Sequence, residues 1–113
     1  MAPPLWNIHL ETLLMQMISY SGDCKSLCIE AMNSFRDDDF NQAASLLEEA
    51  EKSLLKAQRI HAKILSTFVR NEEMKINLFV VHAEDQMMSS ETILSVVKGM
   101  LKILEKKEGR DNG

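Results

Sequence analysis

The sequence predicts an all-α protein: a three-helix, antiparallel (up-down-up) bundle with coiled-coil-like seams that favour assembly as a trimer or a similar oligomer. The 113 residues are 45% hydrophobic but include only two prolines and one tryptophan, which is typical of helices packed through aliphatic and methionine side chains. Apolar residues recur in steps of four and three along three segments, and such narrow seams favour self-association. Short polar links between the segments favour antiparallel neighbours. We expect one domain over 1–113, with helices roughly at 5–36, 40–69 and 74–106 and a polar tail at 107–113.

The first predicted helix carries two cysteines on its apolar stripe. Cys24 and Cys28 are four residues apart and therefore share a helix face, which would supply half of a metal site. A complete site needs further thiol or imidazole ligands nearby in sequence, so we interpret the cysteines as small core residues in a reducing cytoplasm. The predicted inward stripe is Leu10, Leu14, Met17, Ser21, Cys24, Cys28, Ala31 and Phe35.

Consecutive aspartates, Asp37 to Asp39, predict the break after the first helix. Aspartate tolerates the left-handed conformation that closes a helix, and we assign that conformation to Asp38. Asp39 then becomes the N-cap of the second helix, with Gln42 completing a capping-box pattern. A calcium loop would need spaced ligands, a central glycine and a closing glutamate, and none of these follows in register.

The second helix has the most regular periodicity, and its stripe places His61 on the inward face. A lone inward histidine is more often a hydrogen-bonded core residue than a ligand. For the third helix two beginnings are open: a cap at Asn71, or a short extended entry before a cap at Asn77. The predicted stripe of the second helix is Ala43, Leu47, Ala50, Leu54, Ala57, His61, Ile64 and Phe68.

The stretch 80–88 places one imidazole and two carboxylates within a turn of the third helix. His82 and Asp85 are three residues apart and share a face, whereas Glu84 points elsewhere. We expect the shared face to point into the bundle. Burying an imidazole and a carboxylate there costs free energy unless they are paired, hydrated or part of a functional site.

Charge and hydropathy exclude several classes of function. The formal net charge is -4 and the basic residues are dispersed, which argues against nucleic acid as a partner. No apolar run approaches the roughly 20 residues that span a bilayer, so no direct membrane insertion is expected. The start of the chain lacks the basic residues and apolar core of a signal peptide, and we expect a cytoplasmic protein.

Three motifs occur in a recognisable order: Ser21-Gly22-Asp23-x-Lys25-Ser26-Leu27, Asp38-Asp39-Phe40 and Val81-His82-Ala83-Glu84-Asp85-Gln86-Met87-Met88. Together they resemble the lactose/cellobiose (chitobiose) family of enzyme IIA from the bacterial phosphoenolpyruvate-dependent sugar phosphotransferase system, over about 11–104. The last motif is the most specific, and its family form reads V-H-A/G-Q-D-H-L-M. The resemblance implies a three-helix protomer in a homotrimer.

The resemblance assigns roles to two residues. It implies that His82 accepts a phosphoryl group from phospho-HPr and passes it to a cysteine of enzyme IIB during disaccharide uptake. Asp85 matches the aspartate that meets its symmetry copies around a divalent cation, which implies one Mg²⁺ per trimer on the threefold axis. A single inward carboxylate has no partner on its own helix, whereas three copies can share a hard cation.

Several positions depart from the family pattern. Gln86 replaces the usual second histidine, and it can donate a hydrogen bond to a phosphoryl oxygen but cannot carry positive charge. Glu84 replaces a glutamine, and A-H-x-x-Q-T on the second helix becomes Ala57-Gln58-x-x-His61-Ala62. We expect transfer at His82 to survive, with an altered rate or partner preference.

Further donors and docking residues are expected beside His82. Ser89 or Ser90 would add hydrogen bonds to the phosphoryl group, and Met87 and Met88 belong either to the core or to a surface shared by both partners.

Two alternative functions remain. The chain could be a non-catalytic trimeric interaction or regulatory module that has lost transfer with the second histidine. It could also be a histidine phosphotransfer domain of two-component signalling with His61 as acceptor. The usual H-x-x-K-G sequence of that domain is absent at both His61 and His82.

Overall fold

The protein consists of three long helices packed side by side. The computed structural model describes residues 5–70 and 76–112, and side chains within 9–70 and 76–109. The helices are α1 (Leu5–Arg36), α2 (Phe40–Arg70) and α3 (Leu78–Asn112), with no strand in the described ranges. They form a rod of 68 × 20 × 19 Å. The predicted three-helix bundle is confirmed.

Contacts between α2 and α3 show that these helices are antiparallel. Glu51 pairs with Lys98, while Gln58, one heptad later on α2, donates to Glu91, one heptad earlier on α3. The tight turn between α1 and α2 makes those two antiparallel as well. The order is therefore up-down-up, and α1 runs parallel to α3.

The core lies along the common axis of the three helices. On α1 the predicted stripe is buried from Leu10 to Ala31, and Phe35 packs partly buried against it. On α2 the prediction is wrong at one position, because Ile60 is buried where His61 was expected. His61 instead lies half-buried at the edge of the seam, where its polar ring finds a partner on α3. Six hydrophobic side chains of α3 complete the core: Val80, Ala83, Met87, Leu94, Val97 and Leu101.

The turn between α1 and α2 forms as the sequence predicts. Asp38 has φ 54°, the left-handed conformation assigned to it. The N–H groups of Asp38 and Asp39 donate to Phe35 O at 3.1 Å and Ser34 O at 3.0 Å, the two bonds of a Schellman motif. Asp39 Oδ1 accepts from Gln42 N at 3.0 Å, which confirms the N-cap. A full capping box would also have the Gln42 side chain accept a hydrogen bond from Asp39 N–H. That N–H instead donates to Ser34 O at the end of α1.

The third helix begins and ends later than predicted. Asn77 is its cap, because Asn77 Oδ1 accepts from Val80 N at 3.0 Å, so the start at 74 is wrong and the cap at Asn77 is confirmed. The alternative cap at Asn71 lies outside the described residues. The helix also continues through most of the predicted tail 107–113, since Glu and Lys are strong helix formers that extend it past Leu104. None of the three helices, as far as they are described, has a hydrophobic stretch that could span a bilayer.

Candidate functional site

His82 lies on the second turn of α3 and faces outward. The core face of this turn is made by Val80, Ala83 and Met87, which leaves His82 and Asp85 exposed. The prediction that His82 and Asp85 point into the bundle is therefore wrong for the single chain. The small Ala83 packs inside in their place, and the two ionisable groups stay in water where they need no internal partner.

A groove runs beside His82, between the end of α2 and the start of α3. Its volume is about 630 Å³, and three ionisable side chains reach it: His82, Glu84 and Asp85. The rest of its wall is apolar. The apolar lining consists of Ile64, Leu65, Phe68, Ile76, Leu78, Val80, Val81 and Met88.

One wall of this groove is held by a pair that bridges α2 and α3. His61 Nε2 lies 2.9 Å from Glu84 Oε1, the distance of a hydrogen bond donated by the imidazole. The side chains of His61 and Glu84 are 24% and 29% exposed. His61 thus has a defined partner at the seam, as expected of a hydrogen-bonded histidine, although it lies outside the core.

Gln86 lies one helical turn after His82 and contacts α1. Lys25 Nζ donates to Gln86 Oε1 at 2.6 Å, and both side chains are half-buried. The sequence motifs include both residues but give no sign that they meet, because 61 positions separate them. The structure thus adds Lys25 to the surroundings of the predicted site.

The two serines after Gln86 differ in their access to the His82 side of α3. Ser90 is fully buried, and its Oγ lies 2.8 Å from both Ser21 O and Gln86 O. It therefore links α3 to α1 and does not reach a group bound on the exposed His82 ring. Ser89 is half-buried, and its Oγ donates to Gln86 O at 3.1 Å. Of the two methionines, Met87 is core and Met88 is exposed.

The cysteines are core residues, as the sequence indicates. Cys24 and Cys28 are free thiols with no exposed surface. The contact with the Cys28 thiol and the burial raise the pKa of Cys24 well above that of an ordinary thiol, so Cys24 stays protonated at neutral pH. Neither cysteine belongs to a cluster of three or more metal-ligating side chains in the part of the chain described.

Asp85 is exposed between two hydrophobic side chains of the same face, Val81 and Met88. Glu84, the other carboxylate that reaches the groove, pairs with His61, and the described residues contain no group of three His, Cys, Asp or Glu that could hold a metal. A cation at Asp85 would therefore have a single protein ligand on this chain, with waters or carboxylates of other copies completing its coordination. Carboxylate oxygens do fit Mg²⁺, which prefers oxygen ligands.

Comparison with known proteins identifies a consistent set of relatives. A family model described as the lactose/cellobiose-specific IIA subunit of the PTS matches residues 12–105. The oligo-beta-mannoside-specific EIIA component of Bacillus subtilis is 29% identical over 101 residues, which cover 89% of this chain and 92% of that component. The N,N'-diacetylchitobiose-specific EIIA component of Escherichia coli is 27% identical over 98 residues, covering 87% and 84%.

Among solved structures, the crystal structure of PtcA from S. mutans is similar along nearly its whole length. The TM-score is 0.81 at 30% sequence identity, and the match covers 86% of this chain and 95% of PtcA. The matched 86% of this chain is longer than any two of its helices together, so the similarity extends to all three helices.

Proposed function

Because this chain belongs to the lactose/cellobiose-specific IIA subunit family of the phosphotransferase system, we propose that it carries a phosphoryl group on His82 during sugar uptake. The single observation that supports this most directly is the placement of His82. Its ring is exposed at the mouth of an apolar groove, where a second protein can reach it. The protein would work in the cytoplasm, between phospho-HPr as donor and enzyme IIB as acceptor.

The first proposed step is in-line transfer between two imidazoles. The unprotonated nitrogen of His82 forms a P–N bond as the P–N bond of the donor phosphohistidine breaks. His82 gives up the proton of its second nitrogen to solvent, and the departing donor imidazole takes one up, so protons and charge balance. The exposed ring suits this step, because the attacking nitrogen must approach the phosphorus without displacing core side chains.

The second proposed step passes the group to a thiolate of enzyme IIB. A P–S bond forms as the P–N bond of phospho-His82 breaks, and the released imidazole takes up a proton. The chain's contribution is to orient the ring and to offer donors to the phosphoryl oxygens. We propose Gln86 as such a donor, because it lies one turn from His82 on the side of α3 that faces α1.

Assembly as a homotrimer is part of the proposal. The outward faces of α2 and α3 carry apolar side chains with large exposed fractions, and we propose that together they form the apolar patch through which protomers associate. Association through it would enclose the groove and place His82 between protomers. The exposed members are Leu55, Leu65, Val69, Leu78, Val81, Met88, Val96 and Ile103.

Asp85 is exposed between Val81 and Met88 of this face, and we propose that it holds Mg²⁺ together with its copies from the other protomers. The cation would neutralise carboxylates that assembly brings together. Its role is structural, and no transfer step depends on it.

The test is transfer of labelled phosphoryl from phospho-HPr to wild-type chain and to His82→Gln. We expect acid-labile label on the wild type and at least a hundredfold slower labelling of H82Q, since the nucleophile is removed. Equal labelling of the two proteins would overturn the proposal. A wild-type chain that forms a trimer but takes up no label would instead favour the non-catalytic interaction module, which the exposed apolar patch also suits.

A further inference from the structure

We infer that Lys25 is a positioning residue for phosphoryl transfer: it holds the Gln86 side-chain amide so that the NH₂ group faces the phosphoryl site of His82. This inference rests on the proposed function and deepens it. It concerns a contact between α1 and α3 that neither residue's position in the sequence reveals.

The contact is short and shielded. Lys25 Nζ lies 2.6 Å from Gln86 Oε1, and both side chains are half-buried between the two helices. A charged donor makes a hydrogen bond stronger than a neutral pair does, and partial exclusion of water strengthens it further. The pair is therefore a fixed feature of this side of α3.

The chemistry of the two groups sets the orientation of the amide. An ammonium has three donors and no acceptor, so it can bond only the carbonyl oxygen of Gln86. The amide NH₂ group, with two donors, then points away from Lys25. Because Gln86 follows His82 by four residues, the two side chains lie one above the other on the helix surface. The free donors are thus available on the same face as the His82 ring.

The helix positions behind the contact are also fixed. Ser90 Oγ lies 2.8 Å from Ser21 O, so α3 is bonded to α1 one turn beyond Gln86. Ser21 and Ser90 are fully buried, and this part of the seam cannot shift without unpacking the core. The backbone of α1 near Lys25 is therefore held in a fixed position relative to α3.

Such a clamp matters because the Gln86 amide can present either its oxygen or its NH₂ group. A phosphoryl group needs donors, and an amide oxygen turned toward it would repel it. A histidine at this position would need no such help when protonated, because both of its nitrogens then donate. The lysine thus lets a neutral glutamine serve as an oriented donor in a chain that lacks the usual second histidine.

The inference is tested with Lys25→Met and Lys25→Arg, using Lys102→Met as the matched control. Lys102 is exposed on α3 and its replacement removes the same charge. We expect K25M to slow labelling of His82 by phospho-HPr about tenfold, because an unheld Gln86 amide turns its oxygen as well as its NH₂ group toward the site, which weakens its hydrogen bond to the phosphoryl group in the transition state. K25R should stay within about threefold of wild type, since it keeps a donor-only cation at the same place.

A double variant separates positioning from simple loss of stability. If Lys25 acts through the amide, K25M should cost no further rate once Gln86 is replaced by Leu. Side-chain amide resonances of ¹⁵N-labelled glutamine provide an independent readout: the Gln86 NH₂ signal should shift in K25M and not in K102M.

The outcomes are distinct. Wild-type rates in K25M, or equal additional slowing by K25M in the Gln86→Leu background, would overturn the positioning role while leaving the phosphocarrier function standing. Absence of label on His82 in the wild type would overturn the proposed function itself, whatever the amide spectra show.

Discussion

His61 on α2 and Glu84 on α3 meet at 2.9 Å, and each stands where the lactose/cellobiose IIA pattern has a glutamine. Two departures that look independent in the sequence are therefore one contact in the structure. In this chain an imidazole and a carboxylate stand at these two positions and form a polar link between α2 and α3. The link borders the groove that contains His82, so it holds α3 against α2 beside the proposed phosphorylation site.

The pair should couple energetically. We expect a double-mutant cycle of His61→Ala and Glu84→Ala to give a coupling of about 0.5–1 kcal/mol in the free energy of unfolding, measured by urea denaturation. The modest size follows from the partial exposure of both side chains. H61A combined with Glu105→Ala, an exposed residue near the opposite end of the bundle, should be additive within about 0.3 kcal/mol. A coupling no larger than this control would show that the contact contributes nothing.

Asp38 should be a site where glycine stabilises the protein. Its φ of 54° strains any residue with a Cβ, so Asp38→Gly should raise the free energy of unfolding by about 0.5–1 kcal/mol. Asp38→Val should lower it by about 1–2 kcal/mol, because a β-branched side chain tolerates this conformation poorly. Asp37→Gly serves as the control, since Asp37 does not share the positive φ. Equal effects at positions 37 and 38 would contradict the assigned turn.

Met88 should report on assembly. It lies 53% exposed on the apolar face of α3, next to the proposed axis. Met88→Glu would place a charge in each protomer at that face, and we expect sedimentation to show a shift from trimer toward monomer. Met15→Glu makes the same change on α1, outside this face, and should leave the trimer intact. If M15E dissociated the protein and M88E did not, the interface would lie elsewhere.

Asp85 should be required for cation binding but not for assembly. Replacing it with leucine removes the only ligand proposed from each protomer, and an apolar cluster on the axis can be as stable as the charged one. Metal analysis of the purified trimer should find Mg²⁺ in the wild type and in the Asp23→Leu control, and none in D85L. Dissociation of D85L into monomers would argue against the axial assignment.

The sequence predicted the fold well because its local signals agree with one another. The four-three stripes of α1 and α2 reappear as buried residues, and the Asp38–Asp39 turn forms as its residue types require. Periodicity was less informative where a seam residue is polar. The four-three step predicted His61 as the inward residue, but the neighbouring apolar residue Ile60 is buried instead.

The site was less accessible to sequence reasoning, for physical reasons. The inward face of the start of α3 is marked by Ala83, which is buried, whereas the more hydrophobic Val81 is exposed. Because alanine is small and only weakly hydrophobic, hydropathy does not identify this face. The contacts of Gln86 with Lys25 and of Glu84 with His61 join separate helices, and no local pattern encodes which side chains meet across a seam. The motif did supply His82, although its phosphorylation stays a prediction.

The central claim, that His82 is the phosphoryl acceptor, is tested most directly by mapping the acid-labile phosphoryl group on the intact chain. After incubation with phospho-HPr, ¹H–¹⁵N spectra of histidine-labelled protein should show the imidazole signals of His82 changing to those of a phosphohistidine. The signals of His61 and His9 should stay those of unmodified rings, with one phosphoryl group bound per chain. A phosphohistidine spectrum at His61, or no change at any histidine under conditions in which HPr is fully phosphorylated, would contradict the claim.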